Sequence, residues 1–298
     1  MFLRSRSVYR DVLRYPNQAW LLPIARGGQH FETREGSSLY LPRRYWTMLP
    51  TACRLVAAGA APKWLTDAEW REDVLQIQYR GLAIHAPPFD KSIGSTLREI
   101  FVDDAYGVRG ADLSGQVVLD VGAYIGDSAL AFAAAGAQVH AFEPVPLLQR
   151  YLRRNVECNG FTSQVTVHGV GLSDRAETLD IDINLTGLAG VTAQGAHGRT
   201  RATGKFQRAR IELVEAAGYL RSSGIERCNI LKLDCEGCEY RMLGEGGILD
   251  ALRPSRIILE YHRGGDVLHE ALVARGYRVD WSERTTPHGY MTALLESN

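Results

Sequence analysis

Apolar positions in the first 95 or so residues follow no sustained period, whereas from about residue 112 they fall into short continuous runs separated by helical repeats. In the early part "HFETREGSSLYLP" alternates around a Glu-Gly turn and predicts a hairpin. "LTDAEWREDVLQIQ", with Thr66 or Asp67 as N-cap, predicts a helix running into a strand, and "HAPPFDKSIG" predicts a loop by its prolines and glycine. Farther on, "QVVLDVGA" is a continuous apolar strand, "DSALAFAAAG" a helix opened by Asp127 or Ser128 and closed by Gly136, and "AQVHAFEP" a second strand. In "VPLLQRYLRRNVECNG" Leu148, Tyr151, Leu152 and Val156 share one helical face, with Pro146 at its start and Gly160 past its end. "QVTVHGVGLSD" reads as a third strand, "NILKLD" as a fourth and "SRIILEYH" as a fifth, with helices between the last two and after the last. "YRVDWSE" and "YMTALLES" close the chain as a strand hairpin.

Strands alternating with helices imply a parallel sheet covered on both faces. The expected organisation is a small α+β appendage over residues 1–97 and an α/β domain over 98–298, a length that suits one large domain with an addition. The Gly-rich, Arg-containing "GLAGVTAQGAHGRTRATGK" predicts a mobile loop or arm.

Composition narrows the partners. With 34 basic and 34 acidic residues, the formal net charge of +0 argues against a large electrostatic footprint for nucleic acid. The N-terminal run "AWLLPIA" is short and carries Pro23, so neither a signal peptide nor a membrane span is expected. Five cysteines, odd in number and unevenly spaced, do not make a disulfide framework, which predicts a reducing cytoplasm.

"LDVGAYIGDS" joins the first strand of the sheet to its first helix, and Gly122 and Gly126 there are expected to let backbone approach a ligand. A dinucleotide enzyme would carry G-x-G-x-x-G with pyrophosphate over the helix N-terminus, but this turn is G-A-x-x-G-D, and Asp127 would repel a pyrophosphate. Glu143 ends the second strand 143 − 122 = 21 positions after Gly122, near the offset of roughly 20 at which an acid meets ribose hydroxyls. An adenosine ligand without phosphates satisfies both, and S-adenosylmethionine fits, its cationic end tolerating Asp120.

On these residues the sequence resembles the FkbM-type methyltransferases, a branch of the S-adenosylmethionine-dependent class I enzymes. The matching segments are "VVLDVGAYIGDSAL", "AFEP", "LRRNVECNG", "GLSD", "ILKLDCEGCEYRML" and "IILEYH", most specifically Lys232, Asp234, Glu236, Gly237 and Glu239 in the pattern K-x-D-x-E-G-x-E. The resemblance implies a Rossmann-like, seven-stranded, mostly parallel sheet and methyl transfer from S-adenosylmethionine to a hydroxyl of a small molecule or glycan. By position it places Asp120, Gly122, Ala123, Gly126 and Asp127 at the methionine end, with Tyr124 and Ser128 in the same turn. Glu143, followed by Pro144, falls at the ribose, and Ser173 and Asp174 fall on the adenine side.

Catalytic candidates lie at the carboxyl ends of the strands, where open α/β sheets bind ligands. Asp234 and Glu236 follow the fourth strand and His262 the fifth, which makes Asp234 or His262 the candidate base, Glu236 the orienting group and Glu239 a helix-start residue. Asp234, Glu236, Glu260 and His262 form an alternative set of divalent-metal ligands, but they lack the adjacent acid-and-amide spacing of metal-dependent catechol-type methyltransferases, so no metal is expected. Lys232 is expected to pair with an acid. Cys235 and Cys238 would need two further ligands for zinc and read as fillers between the acids. The competing functions are an inactive methyltransferase-fold binding protein, a nicotinamide-dependent oxidoreductase, and a thiol oxidoreductase or zinc protein.

Overall fold

The computed structural model describes residues 9, 11–14, 27–185, 188, 206–244, 247–281 and 287–296. The N-terminal run "AWLLPIA" and, Leu188 apart, the Gly- and Arg-containing segment 187–205 lie outside the described residues. The chain divides into two compact units, Met1–Asp103 with Asn184–Ala189, and Asp104–Ile183 with Gly190–Asn298.

In the first unit, β1 (Gly28–Glu32) and β2 (Ser38–Pro42) form the expected antiparallel hairpin, with Phe31 opposite Leu39 and both buried. A 3-10 turn over Arg43–Met48 leads into α1 (Leu49–Ala57), which is followed by an antiparallel sheet of β3 (Ala61–Thr66), β4 (Asp73–Tyr79) and β5 (Leu82–Ala86), and then by α2 (Ile93–Phe101). The helix expected from Thr66 or Asp67 does not form. Asp67 caps a single turn, its carboxylate accepting from the Glu69 and Trp70 N–H groups, and Arg71 at φ 55° then reverses the chain into β4. The local capping signal is real, but pairing of Ala61–Thr66 with Asp73–Tyr79 outweighs it. Asp90, fully buried, accepts from the N–H groups of Ser92 and Leu188 and so ties Leu188 into this unit.

The second unit is built on a seven-stranded sheet. Its strands are β6 (Val117–Val121), β7 (Gln138–Phe142), β8 (Val165–His168), β12 (Ile230–Leu233), β13 (Arg256–Tyr261), β14 (Tyr277–Trp281) and β15 (Gly289–Leu295), in spatial order β14-β15-β13-β12-β6-β7-β8. The five strands β13, β12, β6, β7 and β8 are parallel, and β15 runs antiparallel between β13 and β14. Four helices cover it: α3 (Asp127–Ala134), α4 (Pro146–Cys158), α6 (Cys238–Gly244) and α8 (Asp266–Val273); α5 (Ala216–Ser222) and α7 (Ile248–Leu252) pack against the same core. On α4 the predicted face of Leu148, Tyr151, Leu152 and Val156 is buried, each side chain contributing on the order of 1.5–3 kcal/mol.

The expected third strand is broken in two. β8 stays in the main sheet, while β9 (Gly171–Ser173) leaves it after Gly169 and Val170 and pairs in parallel with β11 (Phe206–Glu215), beside which lies β10 (Glu177–Asn184). Glycines inside a strand pattern mark such departures, and the α-carbon of Gly171 is wedged against Leu213 and Pro144. The strict alternation in "ETLDIDIN" was the sequence signal for β10.

Candidate active site

The turn after β6 is held from three sides. Gly122 (φ 81°), Tyr124 (φ 52°) and Gly126 (φ 91°) all occupy the left-handed region. The N–H groups of Gly122 and Ala123 both donate to the Phe142 carbonyl at 3.0 Å, and Asn155 on α4 donates to the Ile125 carbonyl at 2.8 Å. The glycines were expected to let backbone approach a ligand, and they also let it approach the rest of the protein. A Cβ on Gly122 would strike the Asp234 carbonyl and the Cys235 α-carbon, and one on Gly126 would strike Leu152. The turn is therefore packed directly against the segment that carries the candidate catalytic acids.

Beneath it lies a buried charge pair. Asp120 and Lys232 face each other in register on β6 and β12. The Lys232 Nζ is 3.1 Å from Asp120 Oδ1, 3.8 Å from Asp234 Oδ2 and 2.8 Å from the Gly122 carbonyl that it donates to. Burial alone would depress the Lys232 pKa, but Asp120 and Asp234 raise it above the ordinary lysine value. Ser128 donates to the second Asp120 oxygen at 2.6 Å, and the Tyr106 ring lies under the ammonium. Lys232 is thus paired with an acid, as expected, while Asp120 and Ser128 support the turn from inside.

Glu143 is buried at the end of β7, where Oε2 accepts from the Tyr124 N–H at 2.9 Å and Oε1 from the Val145 N–H at 2.8 Å. Burial pushes its pKa up to about 8 against the lowering effect of the Val145 N–H and Lys232. Pro144 follows it and packs on Gly171. Asp127 opens α3, buried, with the Ser128 N–H on its carboxylate at 3.1 Å. Ser173 ends β9 and Asp174 follows it, both off the main sheet. Asp174 accepts from Ser173 and is ion-paired with Arg241, which also binds Glu177.

The structure brings Asp234, Glu236 and His262 together. Glu236 takes φ 56° and Gly237 φ 121° in the turn between β12 and α6. His262 sits among acids: Nδ1 is 3.1 Å from Glu239 Oε1, and Nε2 is 3.5 Å from Glu236 Oε2 and 3.8 Å from Glu260 Oε1. Burial lowers the His262 pKa, but the Glu239 hydrogen bond and the fields of Glu236 and Glu260 outweigh it and carry the value to about 9. Burial raises Glu236 above the usual glutamate value, with His262 pulling the other way. One ligating atom from each of Asp234, Glu260 and His262 lies within 4.8 Å of the others, so three of the four alternative metal ligands do converge.

Two groups gain roles that the sequence did not assign. Glu239, fully buried, accepts the Gly237 N–H and fixes the His262 ring. Tyr240 accepts the N–H groups of His262 and Arg263 and donates to the Gly264 carbonyl, which clamps the turn after β13. Asn155 had one legible signal, a polar residue on the apolar face of α4. Cys235 and Cys238, read as fillers between the acids, form a disulfide with each other.

The strand order, with an antiparallel strand next to the outer edge, a glycine turn after the first strand and an acid closing the second, defines a Rossmann-like methyltransferase class. The family model described as the Methyltransferase FkbM domain matches residues 120–279, more than half of the chain, and the chain belongs to that family. Its methyl donor is accordingly S-adenosylmethionine. AMB antimetabolite synthetase AmbE of Pseudomonas aeruginosa is 30% identical over 274 residues, covering 76% of this chain and 12% of the synthetase. Methyltransferase sdnD of Sordaria araneosa is 29% identical over 171 residues, covering 49% of this chain and 66% of that protein. The chain therefore spans less than two thirds of the length of either relative. Among solved structures, an FkbM methyltransferase of Methylobacillus flagellatus superposes with a TM-score of 0.40 at 16% identity, covering 68% of this chain and 54% of that one. The METTL16 methyltransferase domain gives a TM-score of 0.48 at 13% identity over 97% and 98% of the two chains. No helix among the described residues is long and apolar enough to cross a membrane.

Proposed function

We propose that this methyltransferase acts on a hydroxyl oxygen of a small molecule or glycan, with Glu236 as the general base. The observation that carries the reading is the acid cluster around His262. With a pKa near 9, His262 is an imidazolium at neutral pH and has no free site for a proton, so the acceptor proton must go to a carboxylate. Asp234 faces the Lys232 ammonium, whereas Glu236 has its carboxyl raised toward neutrality by burial. His262, fixed by Glu239, steadies Glu236 and supplies the cation that the acids need, so no metal is invoked.

S-adenosylmethionine supplies a methyl carbon already activated by its sulfonium. The residues present fit it. Each Glu143 oxygen accepts one backbone N–H and keeps acceptor capacity for a ribose hydroxyl, and such donors would offset the cost of a buried carboxylate. The turn of Gly122, Ala123, Tyr124 and Gly126, with Asp127 at the start of α3, would hold the methionine end. Asp120, paired with Lys232, supports the turn from below, and Ser173 and Asp174 stand for the adenine side. The protein's own work is to position oxygen and methyl group in line, worth on the order of several kcal/mol. The antimetabolite synthetase among its relatives supports a small-molecule acceptor.

The test is methyl transfer from isotopically labelled S-adenosylmethionine to a panel of hydroxylated metabolites, sugars and their amino analogues, read by mass. Label appearing on oxygen, and lost with Glu236→Gln, supports the reading, and label on nitrogen alone sinks it.

A further inference from the structure

The turn that carries the candidate base also carries the disulfide. Cys235 and Cys238 bracket Glu236 and Gly237, with Asp234 before them and Glu239 after, and their α-carbons are 5.5 Å apart, inside the range a disulfide spans without backbone movement. Of the remaining cysteines, all free thiols, Cys53 and Cys228 are buried, and burial pushes each up to about 12, leaving them inert, whereas Cys158 is exposed and will alkylate in either redox state. Two contacts connect the pair to the chemistry. The Cys235 Sγ lies 3.3 Å from Glu239 Oε2, on the carboxylate whose other oxygen fixes the His262 ring. The Cys235 α-carbon and the Asp234 carbonyl also rest on Gly122, so the bridged turn abuts the cofactor turn.

We propose that Cys235–Cys238 is a reversible thiol–disulfide site, reduced by a dithiol, whose oxidised form assembles the Glu236–Glu239–His262 cluster for methyl transfer. The inference rests on the methyltransferase reading only for its effect on rate. In the exchange, one thiolate of the dithiol attacks a sulfur of the pair and forms a mixed disulfide as the Cys235–Cys238 bond breaks. The second thiolate of the dithiol then displaces that cysteine. Two electrons and two protons pass to the cysteines, and the dithiol leaves as a disulfide.

Reduction has two consequences. The turn loses the covalent tie that holds Glu236 in its left-handed conformation, a conformation unfavourable for a side chain of its kind. Cys235 also gains an S–H that donates to Glu239 Oε2, which makes that carboxylate a weaker partner for His262. The contacts of Glu143 and of the glycine turn with β7 do not involve sulfur, so cofactor affinity should hold while the rate falls.

The test uses the full chain purified without reductant. Alkylation followed by mass analysis should leave Cys235 and Cys238 unlabelled until dithiothreitol is added, and label both afterwards. Reduction should lower the methyl-transfer rate by up to about a hundredfold, as expected for a catalytic group misplaced by about 1 Å, and reoxidation should restore it. Calorimetry should show the affinity for S-adenosylmethionine essentially unchanged, and the His262 midpoint followed by NMR should fall. The Cys235→Ser/Cys238→Ser variant should stay slow and ignore dithiothreitol. Both cysteines labelling before reduction, stoichiometric zinc released in place of a disulfide, or a wild-type rate and His262 midpoint indifferent to reduction would each overturn the proposal. Failure to bind S-adenosylmethionine in either redox state would instead overturn the methyltransferase reading, while labelling and the His262 midpoint still decide the thiol–disulfide site.

Discussion

Lys232 and Asp120 stand opposite each other on adjacent central strands, nitrogen 3.1 Å from oxygen, with neither side chain more than 3% exposed. Truncating one partner strands the other as an uncompensated buried charge. Lys232→Met is expected to cost about 3–5 kcal/mol, read as a lower midpoint in urea denaturation. Adding Asp120→Asn should recover a large part of the loss, because the desolvated charge is then gone. An additive double mutant would show that the two residues act separately.

His262 gives stability a pH window with a definite sign. Its folded pKa lies above the ordinary value of 6.5, at about 9, so the contribution is fully present below about 6.5 and is lost as the pH rises through about 9. Glu236, Glu239 and Glu260 face the ring, and His288 stacks edge-on against it. Denaturation midpoints collected across that range should decline, and His262→Asn should flatten the decline.

Glu143→Ala should weaken S-adenosylmethionine binding by about tenfold or more, since the buried carboxylate is the acceptor proposed for two ribose hydroxyls and such contacts are worth about 1.5–3 kcal/mol. Isothermal titration calorimetry reads it directly. Unchanged affinity would remove Glu143 from the cofactor site.

Two glycines with nearly the same backbone angle separate conformational from steric demand. Gly122 (φ 81°) abuts the Asp234 carbonyl, whereas Gly160 (φ 75°) opens onto empty space. Gly160→Ala should cost only the left-handed penalty of about 1–2 kcal/mol. Gly122→Ala should lower the melting temperature well beyond that and abolish cofactor binding.

Excess chelator should leave methyl transfer intact, because His262 supplies the positive charge among Asp234, Glu236 and Glu260 that a divalent ion would otherwise bring. Activity lost to chelator and regained with magnesium or zinc would replace that imidazolium with a metal.

The centre of the main sheet was legible because its strands are buried on both faces and so read as unbroken apolar runs, as in "VVLDV" and "ILKL". The appendage was harder, since Asp67 offers the same capping chemistry to a helix and to a single turn, and only the partner strand Asp73–Tyr79 decides between them. At the site, letters announced Asp234, Glu236 and His262, each at a strand end. The third dimension was needed for Glu239, whose carboxylate reaches across 23 positions to His262, and for Cys235 and Cys238, whose pairing depends on the tight path of the turn between them. Gly122 and Gly126 were recognised from the letters, but not the protein neighbours that also require them, Asp234 and Leu152, because a missing side chain does not say what will occupy the space.

The contact between Gly122 and the Asp234 carbonyl makes the proposed donor turn and the start of the proposed acceptor turn one mechanical part. A side chain at Gly122 must displace the Asp234–Cys235 backbone, so substitutions that shift that backbone should carry a toll in donor affinity. Laboratory evolution of new acceptors should therefore find its freedom elsewhere, in segments that do not lean on that turn.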